Sequence, residues 1–105
     1  MRLNNRLALL LLGSLAAAPV LAQDAARLHQ RALAATCANC HGTDGRTAPG
    51  SAVPSLAGMP KEYMIQQMKA FQNGTRPATV MHQLAKGLTD EQIESTAAYF
   101  ATLKR

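Results

Sequence analysis

Apolar residues recur at intervals of three and four positions in three stretches of this 105-residue chain. That spacing places them along one face of an α-helix, whereas a half-buried strand would alternate apolar and polar residues. No alternation of that kind and no internal repeat occurs after residue 23, so the pattern predicts an all-α fold. The three apolar faces comprise Leu28, Ala32 and Ala35; Met64, Met68 and Phe71; and Ile93, Ala97, Phe100 and Ala101.

Capping residues mark the ends of these predicted helices. Asp24 is positioned to begin the first helix, which should end at the first cysteine. Gly74 is positioned to end the second. The last helix has the strongest signal, since Thr89 and Gln92 form a capping box that precedes an apolar stripe. We expect it to run to about Leu103.

The first 22 residues have the three zones of a secretory signal peptide: a basic start, an apolar run and small residues before a cleavage site. The apolar run over 7–18 ends at Pro19, short of the roughly 20 residues that span a bilayer. We therefore expect export to the periplasm with cleavage near Ala22, and no stable membrane anchor afterwards. Residues 1–22 are then a signal peptide, and residues 23–105 form one small domain.

The charge of the chain is +5, from 11 basic and six acidic residues. Two of the basic residues lie in the leader, which leaves +3 on residues 23–105. No basic run follows that would track a phosphate backbone, and there is no Trp to stack on bases. Nucleic acid is therefore not an expected partner.

Residues 37–41 read Cys-Ala-Asn-Cys-His and contain both cysteines of the chain. On a helical turn, Cys37, Cys40 and His41 share one face. Two thiols on that face can form thioethers with the vinyl groups of a haem while the imidazole reaches the iron, and C-x-x-C-H is the signature of this attachment. A domain this small also needs a staple beyond its own apolar core, which a covalent haem supplies.

Three other chemistries use closely spaced cysteines. A structural zinc site needs four ligands, and only His29 and His82 remain outside the pentapeptide. A thioredoxin-like dithiol needs a βαβ framework that this helical pattern lacks. A plain disulfide leaves the adjacent histidine and the thin core unexplained. We therefore expect one covalent haem c with its iron in preference to these three.

The second axial ligand of such an iron decides between an electron carrier and an open site. Met81 is the leading candidate, because it lies 40 residues after His41, which lets the chain return over the opposite face of the macrocycle. His82 is its main rival, since imidazole also suits iron. Met59 is expected to pack or lie exposed, and His29 to lie at the surface.

Residues 42–60 contain four glycines and three prolines, which predicts a structured loop rather than a helix. Its length is unusual for a bare loop in so small a domain, and such loops have a function or wrap something. Within it, the carbonyl of Pro54 is a candidate acceptor for the second ring N–H of His41, which would fix the tautomer of that imidazole.

Residues 23–105 resemble the class I cytochromes c over nearly their whole length. The elements C-A-N-C-H-G, P-S-L-A-G, the methionine at 81 and the terminal A-A-Y-F-A-T-L-K occur in that family's order. The resemblance implies the cytochrome c fold, with three to four helices wrapped around one covalently bound haem. It implies attachment at Cys37 and Cys40, and axial ligation by His41 and Met81. It also implies contact between the first and last helices near Tyr99 and Phe100.

Longer elements are similar to the cytochrome subunits of flavocytochrome c sulfide dehydrogenase and related small bacterial carriers. These are Y-x-x-x-Q-M-K-A-F, G-x-R-P and M-x-x-x-A-K-G-L-T-D-E-x-I, although the single haem motif differs from the two-haem versions. The resemblance implies a non-enzymatic, exported carrier of single electrons with redox partner proteins. It is either the haem subunit of a sulfide-oxidising flavoprotein or a free periplasmic carrier. The alternative of another class is a small-ligand-binding or peroxidatic haem protein in which Met81 leaves the sixth site open.

Overall fold

The computed structural model describes the backbone of residues 18–105 and the side chains from residue 21 onward. Within that range it contains α-helices and one short 3-10 helix and no strand, so the predicted all-α class is confirmed. The helices outnumber the expected three to four because two of them are single short turns. In chain order they are α1 (Ala18–Ala35), α2 (Ala38–His41), the 3-10 helix (Thr43–Gly45), α3 (Lys61–Asn73), α4 (Met81–Lys86) and α5 (Asp90–Thr102).

Helix α1 begins earlier than the sequence predicts. It starts at Ala18 and passes through Asp24, which was the expected cap. The reason is local, since Pro19 is well tolerated in a first turn and the following residues include good helix formers. Side chains 21–29 are all exposed. Most of the predicted signal peptide, residues 1–17, lies outside the described residues, and no described helix is both long and apolar enough to cross a bilayer.

The core forms where α1, α3 and α5 meet. Ala34 of α1, Met64 of α3, and Ala97 and Phe100 of α5 make one buried cluster. The amide of Gln30 donates to the carbonyl oxygen of Ser95 at 3.0 Å, which joins α1 to α5 by a side chain as well as by packing. The contact expected between the first and last helices near Phe100 is therefore present.

Helix α3 ends where its sequence predicts. It ends at Asn73, and Gly74 adopts the left-handed conformation (φ 79°) that commonly terminates a helix. Met64 is buried, and Met68 is half-buried against the core. Two exposed ion pairs, Lys61 with Glu94 and Lys69 with Asp90, link α3 to α5. Exposed ion pairs contribute little to stability, so side-chain packing is what mainly holds α3 against α5.

Helix α5 carries the predicted capping box. The hydroxyl of Thr89 accepts from the backbone N–H of Gln92 at 3.2 Å, and the Gln92 side chain accepts from the backbone N–H of Thr89 at 2.9 Å. Two donors that the helix itself leaves unpaired are thereby satisfied. The helix ends at Thr102, with Leu103 as its C-cap.

Replacing Thr89 with alanine should lower the free energy of unfolding by about 1 kcal/mol, the usual cost of deleting a hydroxyl cap. Guanidinium unfolding of the haem-loaded protein, followed by far-UV circular dichroism, measures this. Thr102→Ala is the matched control, because that hydroxyl donates only to the Tyr99 carbonyl of its own helix. We expect the control to change stability by less than about 0.5 kcal/mol. Equal losses in the two variants would contradict the capping role.

A candidate covalent haem site

The residues of the pentapeptide lie together on one helical turn, as predicted. Cys37 caps α2, and its carbonyl accepts from the N–H of His41 at 3.0 Å. Cys40 and His41 occupy the last two positions of the helix. Both thiols are unpaired, with Cys37 half-buried and Cys40 exposed. Two thiols three residues apart on a helical turn lie on the same side, which suits attachment to two neighbouring groups of one ligand.

The two sulfurs occupy different environments. Burial raises the pKa of the Cys37 thiol above its ordinary value, and a hydrogen bond with Thr36 offsets part of that rise. A raised pKa lowers the fraction of Cys37 that is present as the reactive thiolate. Cys37 also packs against the core cluster. A group bound through Cys37 is therefore anchored to the core itself.

His41 is buried, with 8% of its surface exposed. Its ring atom Nδ1 lies 2.7 Å from the carbonyl oxygen of Pro54. A carbonyl only accepts, so Nδ1 must carry the proton and donate. The other ring nitrogen, Nε2, is then the one with a lone pair for a metal. This is the arrangement that metal-binding imidazoles use to fix tautomer and ring orientation, and it confirms the hydrogen bond predicted for Pro54.

One carbonyl group fixes the part of the loop that follows Pro54. The backbone oxygen of Gly45 accepts from Leu56 N at 2.7 Å, Ala57 N at 3.2 Å and the hydroxyl of Ser55 at 2.7 Å. Gly45 is buried with φ +70°, and a Cβ there would lie 2.8 Å from both the Leu56 Cβ and a ring carbon of Phe100. Only glycine fits this position. The sequence singled out the loop but not this glycine.

The glycine that follows the pentapeptide is more restricted still. Gly42 has φ 79° and ψ 162°, a region that is essentially reserved for glycine. A Cβ at Gly42 would lie 2.0 Å from the backbone oxygen of Arg46. The chain can therefore reverse immediately after His41 only because residue 42 has no side chain.

Met81 lies on a different element from the pentapeptide. It is the first residue of α4, which packs on α3, and it is half-buried. Ala85, one turn further along the same face of α4, is fully buried. Val80, the N-cap residue, and Leu84, one turn further along, are about half exposed. The Met81 face of α4 is therefore the one turned toward the protein.

The rival ligands fall in other surroundings. Met59 is half-buried against the core cluster, in line with the expectation that it packs. His29 is exposed on α1. His82 is half-buried, and its Nδ1 is fully buried without a hydrogen-bond partner. Within the described part of the chain, no three His, Cys, Asp or Glu side chains gather as a metal site would require. The four ligands of a structural zinc site are thus not assembled there.

Several features fit an amphipathic macrocycle. The hydroxyl of Thr96 on α5, like Nδ1 of His82, is buried with no partner among the described residues. Buried polar atoms of native proteins are nearly always paired, so an orphan suggests an absent group. Two large apolar side chains beside Met81, Val80 and Leu84, are also left about half exposed. No pattern in the sequence distinguished Thr96 from an ordinary helix residue.

Comparisons with known proteins agree with this chemistry. A family model for cytochrome c matches residues 25–104. The cytochrome subunit of sulfide dehydrogenase from Chlorobaculum tepidum is 44% identical over 70% of this chain and 64% of that protein. Cytochrome c-552 from Acidithiobacillus ferridurans is 46% identical over 64% of this chain and 28% of that protein.

A solved structure is also similar. Cytochrome c4 from Acidithiobacillus ferrooxidans aligns with a TM-score of 0.60 and 46% identity, over 64% of this chain and 38% of that one. The chain thus spans less than two thirds of the length of each of these relatives. The family implies one covalent haem c with its iron, and the two cysteines of C-x-x-C-H are consistent with its attachment. On the match over residues 25–104, with the C-x-x-C-H turn and the histidine it orients, this chain belongs to the cytochrome c family of electron-transfer proteins.

Proposed function

We propose that this protein is an exported carrier of single electrons whose haem iron is held axially by His41 and Met81. The observation that carries the proposal is the 2.7 Å hydrogen bond from Nδ1 of His41 to the Pro54 carbonyl. It orients the imidazole and makes Nε2 a stronger electron-pair donor to a metal, as expected of a permanent iron ligand. The bound haem would supply a metal centre that accepts and releases one electron.

The other residues support this role by holding the group rather than by reacting. Cys37 and Cys40 tether it at two points on one turn, which limits its movement between oxidation states. Met81 supplies a thioether from the inward face of α4. Thioether ligation favours the reduced iron and so raises the reduction potential above that of a bis-histidine site. Ligation by both His41 and Met81 would keep the rearrangement between the two oxidation states of the iron small.

We further propose a sulfur-oxidising flavoprotein as the electron donor. Support comes from the similarity to the Chlorobaculum tepidum subunit. A second relative, a Thiomonas intermedia protein named as a thiosulfate dehydrogenase electron acceptor, is 39% identical over 68% of this chain. Because this protein is named as an electron acceptor and not as a subunit, it favours the alternative of a free carrier. Export through the predicted leader, with cleavage near Ala22, would place the carrier in the periplasm beside either kind of partner.

Three measurements test the proposal. The ferric protein should show the weak far-red band of methionine-ligated haem, and the ferrous protein should not bind carbon monoxide at neutral pH. Affinity purification of the tagged, full-length protein from its own cells should then recover a larger flavin-containing chain. Recovery of the cytochrome alone, together with rapid reduction by several unrelated donors, would favour the free carrier. Rapid binding of carbon monoxide would reject the carrier in both forms.

A further inference from the structure

Helix α4 is too short to hold its own position. It has six residues, Met81–Lys86, and no side chain caps its N-terminus. Isolated helices of this length are not stable in water, because nucleation costs more than one turn returns. Contacts from outside α4 must therefore fix where Met81 lies.

One such contact holds the end of α4. The side-chain amide of Gln72, near the end of α3, donates to the carbonyl of Ala85 at 2.8 Å and to the carbonyl of Leu88 at 3.0 Å. Its two N–H groups thus join α3 to the last turn of α4 and to the residue just before the cap of α5. Ala85 is fully buried and lies one turn from Met81 on the same face. The amide of Gln72 therefore fixes the C-terminal end of the short helix that carries Met81.

A second contact holds the chain just before α4. The guanidinium of Arg76 lies 4.6 Å from the ring centre of Phe71 and donates to the Gln67 side-chain oxygen at 2.6 Å. The backbone N–H of Arg76 donates to the carbonyl of Ala70 at 3.1 Å. Gln67, Ala70 and Phe71 occupy consecutive turns on one face of α3. Arg76 is thereby held through both its side chain and its backbone.

The two contacts bracket Met81 in the chain, five residues after Arg76 and four before Ala85. We infer that Gln72 and Arg76 are positioning residues, which hold the Met81 segment on α3 and set how readily Met81 leaves the iron. The inference rests on the proposed ligation by Met81. Neither residue touches the iron in this scheme. Each acts by restricting the backbone that carries the ligand.

Competition with imidazole tests this directly, since added imidazole displaces a methionine from ferric haem and the far-red band reports the displacement. In Gln72→Leu, which keeps the bulk but removes both donors, we expect imidazole to bind about tenfold more tightly, from two lost hydrogen bonds of ordinary net strength. Gln72→Glu keeps the shape of the side chain and also lacks the donors, so it should show a similar gain. Arg76→Lys should show a smaller gain of about threefold.

Gln66→Leu is the matched control, because Gln66 is an exposed glutamine on the same helix. It should leave the imidazole affinity unchanged. Guanidinium unfolding of the same holoproteins gives the global stability. A purely structural role for Gln72 would lower the unfolding midpoint and leave the imidazole affinity at the wild-type value, and that result would overturn the inference. If Gln72→Leu does not accumulate as holoprotein, Gln72→Glu and Arg76→Lys provide the same comparison. Absence of the far-red band from the wild-type protein would instead reject Met81 ligation itself.

Discussion

Replacing Met81 with alanine should abolish the far-red band of the ferric haem protein and let the ferrous protein bind carbon monoxide. The thioether is the sixth ligand in our proposal, and alanine cannot replace it. The reduction potential should also fall, since methionine ligation raises it. Absorption spectra of both oxidation states, carbon monoxide titration and a redox titration of the purified holoprotein measure the three effects.

Met59→Ala is the appropriate control, because Met59 is also a half-buried methionine but packs against the core cluster. It should retain the band and exclude carbon monoxide, at some cost in stability. If Met59→Ala loses the band and Met81→Ala keeps it, the ligand has been assigned to the wrong methionine. A bis-imidazole spectrum in Met81→Ala would show that His82 takes the vacant position, and the double variant lacking His82 should then bind carbon monoxide.

Replacing Gly42 with alanine should destabilise the fold more than alanine at any other glycine that the structure describes. The residue sits in a backbone region that costs a non-glycine residue up to about 3 kcal/mol. The added Cβ would also lie 2.0 Å from the Arg46 oxygen, so the backbone must shift. We expect a loss of at least about 3 kcal/mol, which for a domain of this size lowers the melting temperature by about 12 °C or more. Thermal unfolding of the holoprotein, monitored at the haem absorption band, gives the value.

The variant Gly50→Ala distinguishes the cost of backbone strain at a positive φ from the cost of a steric clash like the one at Gly42. Gly50 has almost the same φ, +81°, but nothing lies within 4 Å of a Cβ built there. Its substitution should cost about 1 kcal/mol, the usual penalty for a left-handed alanine. Similar melting temperatures for the two variants would mean that the Arg46 carbonyl moves aside easily and that the turn after His41 is not tightly constrained.

Local patterns predicted the long helices and the proximal half of the site. Apolar spacing predicted where α3 and α5 lie, with Gly74 as the residue that ends α3 and Thr89 as the residue that begins α5. Each of these signals depends only on residues nearby in the sequence. The C-x-x-C-H turn is equally local. Even the Pro54 hydrogen bond could be anticipated, because an imidazole ligand needs an acceptor and the nearby Gly/Pro loop offers carbonyl groups.

Features that depend on distant contacts were not predictable in this way. Helix α4 has no capping signal, and it exists because α3 and the Gln72 amide hold its end. The restriction at Gly45 comes from Leu56 and Phe100, which are remote in sequence. Asp24 has good capping chemistry but lies inside α1, since the preceding residues continue the helix and override a local preference.

His41 donates its hydrogen bond to a main-chain oxygen, and not to a side chain. This determines which mutations can disturb the orientation of the imidazole. A substitution at position 54 exchanges a side chain but keeps the carbonyl. The acceptor is displaced only if the loop moves, and the loop is fixed through the oxygen of Gly45. A substitution at position 54 therefore leaves the acceptor atom in place, whereas a single methyl added nine residues earlier, at Gly45, collides with the loop that positions this atom.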